Sequence, residues 1–189
     1  MKKSISARSS FLLMIDMQER LLPAIYNKEE IIKNSLNILT AAKELSVPMI
    51  ATEQYPKGIG ATIPELKNLI PEDSTTMEKL EFSCCNAQGF GDAILNLNFN
   101  TGTKDTVILF GVETHICVLA TAMQLIEKYN LNVVIAADAC GSRTEKNHVL
   151  ALDALRSIGC LVVPAETVIY SMLEKAGTPQ FKAMLPLLK

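Results

Sequence analysis

Six short runs of apolar and β-branched residues punctuate the chain, and between them apolar positions recur at helical spacing. Residues 11–15, 49–52, 106–110, 132–138 and 161–163 carry few polar side chains, and 106–110 has no turn former, the pattern of strands buried on both faces of a parallel sheet. Residues 75–83 alternate instead, as a strand or an extended loop would. Apolar positions 31, 32, 36, 38, 39, 42 and 45 predict an amphipathic helix over 29–45, and Pro48 opens the strand after it. Helices are also expected over 90–97 and over 118–129, where Gln124, Glu127 and Lys128 fall on the polar side. Another starts at Thr144 with Asn147 and runs to about Ile158, where Gly159 stops it. Two helical segments follow the last strand, the second after Pro179, and 64–69 forms a short helix at most.

Strands alternating with helices predict a three-layer α/β/α fold around a mostly parallel six-stranded sheet. The length of 189 residues suits one domain spanning 1–189, with residues 1–9 as a flexible tail. The first ten residues are basic, Ser-rich and free of acid, a composition shared with organelle import signals but short for one. No run approaches the ~20 apolar residues that cross a bilayer, so the expectation is a soluble, cytoplasmic protein with no membrane partner. The 18 basic and 20 acidic residues are spread along the chain for a formal charge of −2. That leaves no basic stripe for a phosphate backbone, and nucleic acid is not an expected partner. Five cysteines, at 84, 85, 117, 140 and 160, have no metal-ligand spacing and leave an odd one over, so they are read as reduced thiols.

Candidate chemistry lies where strands end. After the first strand, a dinucleotide fold would need G-x-G-x-x-G; Asp16-Met17-Gln18-Glu19-Arg20 stands there instead, and no Walker-type loop occurs. Asp16 closes that strand at the carboxyl edge of the sheet, where open α/β proteins place ligands, although a helix cap is the other use of such an acid. Cys117 follows the strand that Gly111 stops and opens the helix beyond it. Unpaired N–H groups and a partial positive charge at a helix start favour a thiolate, but a small buried packing thiol is an equally open reading. Glu53, Gln54 and Tyr55, at another strand's carboxyl end, are placed to line a pocket. Lys79, near Glu78 and Glu81, is a surface charge unless a partner elsewhere in the chain claims it.

In order and distribution these features resemble the isochorismatase-like cysteine hydrolases, the superfamily that contains nicotinamidases and N-carbamoylsarcosine amidases. The resemblance runs from Leu12-Leu13-Met14-Ile15-Asp16-Met17-Gln18 through Glu78-Lys79-Leu80-Glu81-Phe82-Ser83 to Gly111-Val112-Glu113-Thr114-His115-Ile116-Cys117. Thr52-Glu53-Gln54-Tyr55-Pro56-Lys57-Gly58 and Pro179-Gln180-Phe181-Lys182 look closer still to the isochorismatase domain-containing proteins. By that resemblance Asp16, Lys79 and Cys117 are a catalytic triad, in which the carboxylate takes the thiol proton and the ammonium keeps the carboxylate ionised. It also implies a cis peptide at Val112–Glu113 that sets the N–H of Glu113 beside that of Cys117 as an oxyanion hole. Gln18, Glu53, Tyr55, Phe82 and His115 are the expected substrate contacts, and a homo-oligomer, dimer or higher, is the expected assembly.

Two departures narrow the expectation. Nicotinamidases carry an Asp-x-His pair and a further His as metal ligands after the second strand, whereas Glu53-Gln54-Tyr55-Pro56 stands here and the chain has only His115 and His148. No metal or cofactor is expected, and nicotinamide is disfavoured. Cys117 argues likewise against isochorismate, whose cleavage in this family does not use a cysteine nucleophile. The expected function is metal-independent hydrolysis of a C–N, amide-type bond of a small molecule through a thioester. The alternatives are a binding protein that keeps the fold without turnover, and a thiol-redox protein in which Cys140 or Cys160 resolves an oxidised Cys117. Cys84 and Cys85 are read as packing or surface thiols.

Overall fold

The computed structural model describes residues 5–188 apart from 73, 102 and 103. Strands β1 (Ser10–Ile15), β2 (Met49–Gln54), β3 (Thr75–Lys79), β4 (Thr106–Val112), β5 (Asn132–Gly141) and β6 (Leu161–Val163) form one sheet in the order β3-β2-β1-β4-β5-β6. Every pairing is parallel. The helices are α1 (Lys28–Glu44), the short α2 (Pro56–Ile59) and α3 (Pro64–Lys67), α4 (Phe90–Thr101), α5 (Leu119–Tyr129), α6 (Glu145–Ser157), α7 (Ala165–Leu173) and α8 (Pro179–Met184). Helices α1, α7 and α8 pack together on one face, and α4, α5 and α6 cover the other, with Phe90 meeting Tyr129 edge to face. Among the described residues no helix is long and apolar enough to cross a membrane.

The centre of the sheet explains the most apolar runs. Every residue of β1 and β4 is buried, so neither strand has a solvent face to alternate toward. The chain builds outward from β1 through β2 to β3, then returns to lay β4 on the other side of β1. Strand order therefore reverses between β1 and β4, and a crevice opens past their carboxyl ends, where doubly wound sheets bind ligands.

Several element ends differ from expectation. Strand β4 does not stop at Phe110; it continues to Val112 through Gly111, which has φ +120° and lies opposite Ile15. A Cβ at Gly111 would run into the Ile15 carbonyl, so glycine here lets two backbones approach closely instead of ending the strand. Strand β5 runs three residues past Asp138, because residues 136–139 bulge opposite Phe110 before pairing resumes at Gly111–Cys140. Cys140 and Gly141 are thus strand, not loop. The bulge is anchored: the Asp138 carboxylate accepts from the Ala165 N–H at 2.6 Å and its carbonyl from the Asn34 side chain at 3.0 Å. Strand β2 takes in Glu53 and Gln54, expected in the loop, and α4 runs on from 97 to Thr101. Residues 5–9 of the expected tail make contacts with the domain. Ser10 donates to the Ser6 carbonyl, Lys104 donates to the Ala7 and Arg8 carbonyls, and Ile5 packs on the core. Residues 1–4 lie outside the described residues.

Gly111→Ala is expected to cost about 2–3 kcal/mol, since it adds both a backbone clash and an unfavourable φ. The urea midpoint should fall with little change in slope.

Candidate active site

Asp16 is the first residue past β1 and takes a positive φ of 54°, a turn that aspartate tolerates better than most side chains. The turn keeps its carboxylate at the end of the sheet, fully buried. Thr52, registered opposite Ile15 on the neighbouring strand, donates to Asp16 Oδ1 at 2.7 Å. Lys79 ends the edge strand β3 in register with Gln54, and its stem crosses the carboxyl end of β2 to place Nζ 2.7 Å from Asp16 Oδ2. Neither side chain of this ion pair is exposed. The same Nζ donates to Gln54 Oε1 at 2.7 Å and to the Glu81 carbonyl at 3.3 Å, and lies 3.8 Å from Cys117 Sγ. A lysine between acidic neighbours in sequence is therefore an interior group, claimed by Asp16 from 63 residues away.

Cys117 sits inside a π-helical turn, Thr114–Val118, that joins β4 to α5. Helical structure thus begins before Val118, where the apolar pattern placed it. The Glu113 carbonyl accepts from the Ile116 and Val118 amides, so the bond an α-helical turn would give to residue 117 goes to 118. The Val112–Glu113 peptide that leads into this turn is cis. Burial pushes the Cys117 thiol up to about 12, the Asp16 carboxylate adding to the effect and Lys79 opposing it. The resting group is consequently a thiol, against the thiolate that a helix start alone suggests. For Lys79, burial works to lower the pKa, but Asp16, with Cys84 and Cys117 behind it, outweighs that and raises it above the ordinary value. The ammonium stays charged.

The other expected site residues divide. Gln18 is bonded within the fold: its Nε2 donates to the Gln54 and Gly60 carbonyls, and its Oε1 accepts from the Gln54 N–H at 2.7 Å. Glu53 is likewise a strut, with Oε1 taken up by the N–H and hydroxyl of Thr62. The His115 ring bonds Ser142 Oγ at 2.9 Å through Nδ1, and its Nε2 lies 3.4 Å from the Asn147 amide, so both nitrogens are engaged within the fold. The Glu113 side chain accepts from the Arg143 backbone and Nε, and its Oε2 lies 4.0 Å from His115 Nδ1. Tyr55 and Phe82 remain open, at 51% and 63% exposure. Tyr55, Lys79, Leu80 and Glu81 line a cavity of about 360 Å³ beside the buried ion pair. Among the described residues no group of three or more His, Cys, Asp or Glu is placed to hold a metal ion.

The family model described as the isochorismatase domain matches residues 10–167 of this chain. The chain belongs to the isochorismatase family. It is 33% identical over 186 residues to Isochorismatase domain-containing protein 2 of Danio rerio, covering 97% of this chain and 89% of that relative. Among solved structures, the MAR1 ribonuclease of Caenorhabditis elegans matches with a TM-score of 0.89 and 34% identity, over 98% of this chain and 92% of that one. The ycaC gene product of Escherichia coli, described as an octameric hydrolase of unknown specificity, shares the fold with a TM-score of 0.84 at 24% identity, over 93% of this chain and 84% of that one. The isochorismatase domain makes this chain one of that family's hydrolases.

Three residues beside the buried ion pair make contacts that the sequence reading did not anticipate. Thr52 hid at the end of an apolar run, although parallel register alone sets the end of β2 beside the end of β1. Gln54 stood among three pocket candidates with nothing to single it out, yet its Oε1 takes the Lys79 ammonium at 2.7 Å, while Tyr55 meets Lys79 only through its backbone N–H. Cys84, half of a Cys-Cys pair, is fully buried with Sγ 3.8 Å from Thr52 Oγ1, and burial, with Asp16 adding, pushes its thiol up to about 11.

Proposed function

We propose that this isochorismatase-family protein hydrolyses a C–N, amide-type bond of a small molecule without a metal, with Cys117 as nucleophile, Asp16 as base and Lys79 holding Asp16 ionised. The observation that carries this reading is the single ammonium that lies 2.7 Å from Asp16 Oδ2 and 3.8 Å from Cys117 Sγ, away from solvent. Burying an ion pair beside a thiol costs several kcal/mol per ion in desolvation, which packing alone does not require.

As a substrate carbonyl reaches Sγ, the thiol proton passes to Asp16 and the S–C bond forms. Because the thiol titrates near 12, it stays protonated until the carbonyl is in place, and general-base transfer replaces a standing thiolate. The N–H groups of Glu113 and Cys117 take the oxyanion. Its collapse breaks the C–N bond, the amine leaves with the proton from Asp16, and a thioester remains. Water then attacks the thioester, gives its proton to Asp16, and releases the acid and the thiol. Tyr55, an open expected contact, lines the cavity that reaches Lys79. Exposed Leu80 and Phe82 are the apolar rim that a second copy of the chain would cover in a homo-oligomer.

The likeness to a protein called a ribonuclease brings RNA cleavage as a second reading. A net charge of −2 weighs against it, as does a thiol poised for acyl transfer. The thiol-redox alternative is disfavoured because the thiolate is the oxidisable form and Cys117 is held protonated.

The test is a panel of small aliphatic and aromatic amides, with RNA oligonucleotides alongside, followed by intact-mass measurement. The expected result is a released acid, an acyl adduct on the Cys117 peptide after rapid acid quench, and rates unchanged by EDTA. Neither acid nor adduct with any amide, or cleavage confined to RNA, would overturn the proposal.

A further inference from the structure

We propose that Thr52 is a positioning residue for Asp16, its hydroxyl aimed by the Cys84 thiol so that it donates to Oδ1 and keeps the carboxylate oriented and ready for the Cys117 proton. This rests on the reading of Asp16 as the base. The argument begins with the hydroxyl, which has one proton and two lone pairs. Thr52 Oγ1 lies between two partners, Asp16 Oδ1 at 2.7 Å and Cys84 Sγ at 3.8 Å. A carboxylate oxygen only accepts. The Cys84 thiol, buried and shifted up to about 11, is protonated near neutral pH and supplies its own S–H to the Thr52 oxygen. One assignment satisfies all three groups: sulfur donates to hydroxyl, and hydroxyl donates to carboxylate.

The chain of bonds is fixed at its far end as well. The Cys84 N–H donates to Thr121 Oγ1 on α5 at 3.0 Å, so β2, the turn after β3 and α5 all hold it. Each Asp16 oxygen then has one fixed donor, Thr52 on Oδ1 and Lys79 on Oδ2, which leaves the remaining lone pairs for the thiol proton. Among the described residues the titratable groups coupled to Asp16 are Lys79 from β3, Cys84 from the turn after it, and Cys117 from the π-helical turn. Glu53, next to Thr52 on β2, is taken up by Thr62. A valine of the same shape would suit this buried strand position without a hydroxyl to satisfy, so the hydroxyl needs a reason beyond packing. Because the Thr52 hydroxyl is one of the two donors that orient the carboxylate, its loss should show in how the reactivity of Cys117 depends on pH.

The experiment needs no substrate. Full-length protein is alkylated with iodoacetamide from pH 5 to 9, and the rate at the Cys117 peptide is read by mass spectrometry. In this reaction the S–C bond forms, iodide leaves, and the thiol proton goes to the base. Thr52→Val is expected to shift the acid limb of the rate upward by about one pH unit, while Thr52→Ser restores the original profile. Thr52→Ala repeats the test should the valine variant fold poorly, and a displaced limb that Ser restores is a result that a purely structural role would not give. Profiles of Thr52→Val and wild type that superimpose while Asp16→Asn shifts would overturn this proposal alone. An Asp16→Asn profile matching wild type would overturn the base assignment and this proposal together.

Discussion

Replacing Cys117 by Ala is expected to lower kcat on any amide the protein hydrolyses by about 10⁴-fold or more, with KM little changed. The sulfur is the only protein atom in the proposed mechanism that bonds to the substrate carbon, so its loss leaves just the oxyanion donors and binding. Cys117→Ser should fall nearly as far. A hydroxyl is a weaker acid than a thiol already raised to about 12, and one buried carboxylate is a poor base for it. Folding is the internal control. Cys117 lies on a turn whose backbone bonds do not involve its side chain, so both variants should keep their thermal midpoint within a few degrees. Turnover within tenfold of wild type in either variant would remove Cys117 from the chemistry.

The strands were legible because burial writes itself into composition. β1 and β4 sit inside the sheet, and their runs carry no polar alternation for that reason. Their ends were not legible. Whether glycine stops a strand or lets it press on a neighbour depends on what stands opposite, and Ile15 is nearly a hundred residues from Gly111. The bulge in β5 is a second case, set by pairing with β4 and by Asp138 reaching the start of α7. In the site, Asp16 and Cys117 could be placed from the residues alone, since parallel strands put their last residues on one edge. Lys79 could not, because its burial comes from the register of β3 against β2; only the family resemblance marked it. Gln18 and Glu53 show the converse ambiguity. Polar groups at strand ends served the backbone, an equally good use that residue type does not distinguish from ligand binding.

The buried ion pair gives the second large effect. Lys79→Met strands the Asp16 carboxylate in the interior and is expected to cost about 3–5 kcal/mol, and Asp16→Asn should cost a similar amount by stranding the ammonium. The double variant, Asp16→Asn with Lys79→Met, should be more stable than either single one, because the loss is dominated by the uncompensated charge. Denaturant melts of the four proteins form the cycle. The pH dependence has a definite sign. The folded pKa of Lys79 is raised above its ordinary 10.5, so its stabilisation is fully present below about 10.5 and lost as pH rises through the folded value. The stability gap between wild type and Lys79→Met should therefore hold level from pH 7 to 10 and narrow only above that. A gap that closes by pH 9 would mean the ammonium is not held in its charged form. A double variant that is stable yet without turnover would separate the two roles of the pair: a fold that tolerates its removal has no structural need of it, and the desolvation it carries serves the reaction at Cys117.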